Sequence, residues 1–209
     1  MEEVYYGKPY SKLFIAFFCA LMVAFLGFYT GQFIPPVYFI PLIVVELILI
    51  ISLIFLRKKK AIGYPVMFAF MFISGCTLYP ALTMYVSQLG ADTVGKAIII
   101  TALSFAGIAL YTVISKHDFR FLGGFLFISL FVLIGLGILN IFVPFGGQMN
   151  LIYSGFGILV FVGYALYDFS RLTHEGFGVE DIPMIIISIY LDFVNLLLFV
   201  LRFITASND

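Results

Sequence analysis

The chain has 209 residues, 63% of them hydrophobic and 11% charged, with 11 basic and 11 acidic side chains that cancel. A soluble domain carries roughly 45–50% apolar and about 25% charged residues, so these few charges could not cover a soluble surface. A soluble enzyme and a disordered chain are excluded, and the lack of net positive charge argues against nucleic acid as a partner. The composition is that of an integral membrane protein.

A membrane-crossing helix needs roughly 20 mostly apolar residues. Seven such stretches are predicted, at 13–34, 37–56, 62–87, 94–115, 121–143, 148–170 and 183–205. The first follows Met1–Ser11 and is too long for a signal-peptide core, so it is read as a span. Pro35-Pro36 makes the turn into the second stretch, because the pair cannot continue a helix. The third carries Ser74-Gly75-Cys76-Thr77-Leu78-Tyr79-Pro80, read either as a packing kink or as a bend that shapes a cavity. Cys19 and Cys76 lie in apolar stretches without a CxxC or Cys/His set, and both are read as small buried hydrophobes. No loop is long enough for a soluble domain, and runs such as Leu42–Leu56 lack the alternation of a membrane barrel. The prediction is one all-α, seven-helix membrane domain over residues 1–209.

With seven spans, Lys8, Lys12, Arg57, Lys58, Lys59, Lys60, Lys116, Arg120 and Arg171 share one side, leaving Lys96 and Arg202 on the other. The positive-inside rule then places the N-terminus in the cytoplasm and the C-terminus outside.

Three carboxylates fall inside spans: Glu46 in the second, Asp168 near the inner end of the sixth, and Asp192 in the seventh. An ionised carboxylate at a helix centre costs about 2.5–3.5 kcal/mol on insertion scales, so it faces the bundle interior or water and needs a partner or a proton. No lysine lies deep in any span, and an acid-rich, base-poor interior favours cations over anions. Asp192 lies ~13 Å into the membrane at 1.5 Å per residue, and Asp168 lies somewhat nearer the cytoplasm. Helices joined by a short loop are usually neighbours, so the two aspartates can meet. If they do, both cannot stay ionised cheaply, and one shared proton makes a proton sensor. The alternative is that each bonds separately to a serine, tyrosine or carbonyl. Arg57, at the end of the helix that carries Glu46, is read either as a latch on ionised Asp168 or as a snorkelling topology signal.

Three segments then carry a resemblance: Phe72-Ile73-Ser74-Gly75-Cys76-Thr77-Leu78-Tyr79-Pro80, Tyr164-Ala165-Leu166-Tyr167-Asp168, and Ser188-Ile189-Tyr190-Leu191-Asp192-Phe193-Val194-Asn195-Leu196. With Gly31-Gln32-Phe33 and Arg57-Lys58-Lys59-Lys60-Ala61-Ile62-Gly63-Tyr64, the chain resembles the transmembrane BAX inhibitor motif family along all seven spans, especially its short bacterial YetJ-type members. The resemblance implies a seven-helix fold around a central last helix and a pH-sensitive calcium leak. It also implies a proton-sharing pair at Asp168 and Asp192, a basic latch at Arg57, and an acidic pathway residue at Glu46. The chain ends in Ile204-Thr205-Ala206-Ser207-Asn208-Asp209, without the lysine-rich tail of eukaryotic members, which points to a bacterial cell membrane.

Calcium prefers six to eight oxygen ligands, so Glu46 and Asp192 would hold it only weakly and transiently, as conduction needs. Calcium is therefore expected as the transported ion, with protons and the bilayer as the other partners. No cofactor and no obligate protein partner are expected. A proton-coupled cation antiporter is the runner-up, since mid-membrane acids serve exchangers too. An intramembrane aspartyl protease would need glycine before its second aspartate, and Ile189-Tyr190-Leu191 has none. A retinal protein would need a lysine in the last helix. No enzyme activity is expected.

Overall fold

A computed structural model describes residues 9–56, 63–115 and 117–208. Regular structure among them is helical: α1 (Tyr10–Gly31), α2 (Phe39–Leu56), α3 (Tyr64–Leu89), α4 (Ala91–Ser115), α5 (Gly123–Phe142), α6 (Gly147–His174) and α7 (Ile182–Asn208), with short 3-10 turns at Pro36–Tyr38, Arg120–Leu122 and Val179–Asp181. Six of the seven are long and apolar enough to cross a membrane, and α2, with 18 residues, is the shortest. The proline pair explains part of this, because a 3-10 turn at Pro36–Tyr38 takes up the start of the predicted second span. α6 continues past its predicted end through Arg171 and His174, basic residues that suit a helix C-terminus. Large apolar side chains such as Phe14, Phe18, Phe25, Phe121 and Phe142 point outward. Water would make that surface an aggregation patch; lipid makes it the natural exterior.

The chain divides into two compact units, Met1–Met84 with Gly176–Ser188, and Tyr85–Glu175 with Ile189–Asp209. In the first, α1 presents a buried row of Ala16, Ala20, Ala24, Gly27 and Gly31. A methyl group at Gly27 would run into the Phe72 carbonyl, and one at Gly75 into the Ala24 carbonyl, so the backbones of α1 and α3 touch. Small residues allow this approach between apolar helices. Pro80 lies within α3 without ending it. It cannot bond to the Cys76 carbonyl, and a Cβ at Gly31 would sit 3.0 Å from that oxygen. Cys76 is buried as expected, but Cys19 is exposed. The expectation for Cys19 is corrected because Ala16 and Ala20, not Cys19, lie on the buried face of α1.

In the second unit α4 and α5 pack on α6. The Tyr153 and Tyr164 hydroxyls donate to the carbonyls of Leu133 (3.1 Å) and Leu126 (3.0 Å) on α5. Gly157 gives the Phe199 ring of α7 room against α6. The last span is the most enclosed, with 50% of its apolar window buried against 17–39% in the other five.

Candidate functional site

Asp168 continues the face of α6 that buries Phe161 and Ala165, about two turns and one turn back. It is half-buried, whereas Asp192 on α7 is buried at 5% exposure. Their carboxyl groups lie within range of each other's charge, and Tyr164, one turn before Asp168, lies within range of both. The next residues along the chain, Phe169 and Phe193, meet Phe105 of α4 edge-on, at 5.4 and 5.7 Å between centroids. One oxygen of Asp192, Oδ2, has no hydrogen-bond partner among the described residues. Buried polar atoms are almost always paired, so this oxygen calls for a partner that the described residues do not supply.

Glu46 stands in the other unit. Its Oε2 accepts a 2.6 Å hydrogen bond from the Thr77 hydroxyl, which ties α2 to the Ser74–Pro80 segment of α3. Arg57 lies outside the described residues. Among the described residues no group of three or more His, Cys, Asp or Glu side chains could hold a metal ion.

Two polar clusters cap α6. At its C-terminal end Arg120 grips Asp118 through Nε (2.9 and 3.0 Å) and Nη2 (2.6 Å), and reaches Glu175 at 3.3 Å. Arg171 also donates to Glu175, at 2.9 Å. The fully buried Ser170 hydroxyl accepts the Phe119 amide at 2.9 Å, which docks the α4–α5 loop on α6. Hydrogen bonds from Arg120 hold the Asp118 carboxyl well below the usual carboxylate range. Burial pushes Glu175 up, but hydrogen bonds from Arg171 and Arg120 outweigh it and leave that carboxyl low as well. At the other end, Arg202 of α7 donates to Asn150 Oδ1 at 2.7 Å and lies 4.5 Å from the centre of the Tyr153 ring.

The aspartates and Glu46 announce themselves as charges in apolar runs. Thr77, Ser170 and Asn150 do not, because an uncharged polar residue in a span looks the same whichever group it bonds.

The family model for the inhibitor of apoptosis-promoting Bax1 matches residues 3–209. Bax inhibitor 1 of Schizosaccharomyces pombe is 32% identical over 167 residues, 79% of this chain and 61% of that protein. The Golgi anti-apoptotic protein of vaccinia virus is 34% identical over 160 residues, 77% of this chain and 65% of its own length. This chain thus spans less than two thirds of the length of these two relatives. An uncharacterised protein of Campylobacter jejuni is 30% identical over 211 residues, 97% of this chain and 88% of that one. The chain belongs to the Bax inhibitor-1 family, as the resemblance implied.

Proposed function

We propose that this protein is a passive, pH-sensitive calcium leak in which Asp168 and Asp192 share a proton and gate the pathway. One observation carries the reading: two carboxyl groups on touching helices of one unit lie in each other's field, and one of them is buried with an unpaired oxygen. Placing two negative charges so close in an apolar interior is costly, and a proton held between them relieves that cost. Glu46 and Asp192 would act as separate, weak oxygen ligands for calcium in transit. Arg57 would latch ionised Asp168 and release it on protonation. At an effective dielectric near 20, a close ion pair is worth about 4 kcal/mol before desolvation. Even half of that would bias a two-state gate more than tenfold, so acid favours opening.

The N-terminus is proposed to be cytoplasmic, from the nine of eleven basic residues on its side, with α7 as the central helix. The Campylobacter relative, matched along most of both chains, supports a bacterial cell membrane as the setting.

The test is calcium entry into liposomes holding the purified protein, measured with an enclosed dye and no ATP. Entry above protein-free controls, lost when Glu46, Asp168 and Asp192 are neutralised together, is the expected result. Entry equal to the controls would sink the proposal. Saturable entry that needs an opposing proton gradient would assign exchange instead.

A further inference from the structure

Helical threonines buried in apolar surroundings usually satisfy themselves, by turning the hydroxyl to the carbonyl four residues back. Thr30, Thr83, Thr112, Thr173 and Thr205, which range from exposed to fully buried, all make this bond, at 2.6 to 3.0 Å. Thr101 does not. It is 2% exposed, and its Oγ1 has no hydrogen-bond partner among the described residues. Thr112 is the internal control, since it lies on the same buried face of α4, is 0% exposed, and bonds Ile108 at 2.8 Å. Nothing in the helical backbone therefore denies Thr101 the same bond, and its hydroxyl is left available to another group.

That group is found by following the face of α4. Phe105 lies one turn beyond Thr101, and its ring meets Phe193, the neighbour of Asp192. Asp192 Oδ2 is likewise a buried oxygen of this unit with no hydrogen-bond partner among the described residues. Thr101 and Asp192 thus flank the same ring contact between α4 and α7, and each carries an oxygen that is costly to bury dry, the kind of polar partner a buried water requires.

We infer that Thr101 and Asp192 form a water-binding site, in which the Thr101 hydroxyl holds a water that hydrates the buried Asp192 carboxyl. Thr101 is then a positioning residue. It touches neither the ion nor the shared proton directly, and acts by keeping Asp192 wet inside an otherwise apolar unit. The role deepens the leak reading and rests on it, but the water site can be tested without transport.

The test is infrared spectroscopy of the full-length protein in acid, where the Asp192 carboxyl carries its proton and its carbonyl stretch is identified by loss in Asp192→Asn. Thr101→Val should move this band to the position of an unbonded carboxyl, and Thr101→Ser should leave it in place. Thr101→Ala gives the same readout if the valine variant fails to fold. A band unmoved in Thr101→Val and Thr101→Ala would overturn the site, as would Thr101→Val that only raises stability. In liposomes Thr101→Val should cut calcium entry roughly two- to tenfold, the worth of one lost hydrogen bond, with Thr101→Ser near the parent. A parent that does not leak would end the leak reading alone, because the infrared band still decides the water site.

Discussion

The last turns of α6 and the segments beside them hold two pairs of carboxylates in opposite circumstances. Asp118 and Glu175, at the helix end, are surrounded by guanidinium donors from Arg120 and Arg171. Asp168 and Asp192, farther in, pair with no described cation, and one oxygen of Asp192 bonds to nothing described. The chemical group is the same, and the supply of donors decides what it does. Paired acids keep a fixed charge and fasten the α4–α5 loop to α6. Under the proposed leak, acids without a cation partner and in each other's field are the candidates for a sensor.

The strongest way to break this contrast is to remove the inner pair. Asp168→Asn and Asp192→Asn should each flatten the pH dependence of calcium entry between about pH 6 and 8, erasing roughly a tenfold change. Liposome flux against pH would show it, and a parental profile in both variants would refute the sensor role. A smaller effect is expected at Glu46, which has a hydroxyl donor and no described cation. Thr77→Val should lower stability by about 1 kcal/mol, the usual net worth of one hydrogen bond. Thermal unfolding in detergent would measure the loss, and Thr77→Ser should recover it.

Smaller still is the cost of opening the outer cluster. Arg120→Ala should lower the unfolding temperature slightly at low salt, and the difference should vanish at high salt, because its partners are partly exposed and screened. The smallest expected effect is none at all. A carboxylate held low in the folded state gives stability that is present above its unfolded pKa of about 3.9 and lost as pH falls through the folded value. Asp118 is held low, so the loop should stay docked from pH 8 to 5. Hydrogen exchange at the Phe119 amide, corrected for its intrinsic rate, should show constant protection there and weaken only in stronger acid. Loss of protection near pH 6 would show that the docking does not rest on the outer acids alone, with His174, whose Nδ1 lies 2.8 Å from the Ser170 carbonyl oxygen, as the next group to replace.

Much of the fold was legible from hydrophobic runs, because lipid leaves the backbone few alternatives to helices. Glu46, Asp168 and Asp192 were legible for the related reason that a charge in such a run is expensive. The shorter second helix was visible only in part, since Pro35-Pro36 marks a turn but not the residues it consumes. Cys19 was misread because α1 is apolar on every face, and hydropathy alone cannot tell packed from lipid-facing. Thr77 and Thr101 were missed for a different reason. A threonine that bonds its own helix, one that reaches a carboxylate, and one that bonds neither among the described residues all leave the same mark in a sequence.

The contact between α1 and α3 has a mechanical consequence. Gly27 and Gly75 each receive the other helix's backbone where a methyl group would collide. Sliding the helices by one residue would bring Phe28 or Cys76, both with a Cβ, to those contact points. The register is therefore toothed rather than smooth, and α1 and α3 can tilt together as one double rod but cannot shear past each other. A cysteine cross-link along this seam should leave the protein's working motions intact, and any helix that travels in a gating cycle has to be sought elsewhere in the chain.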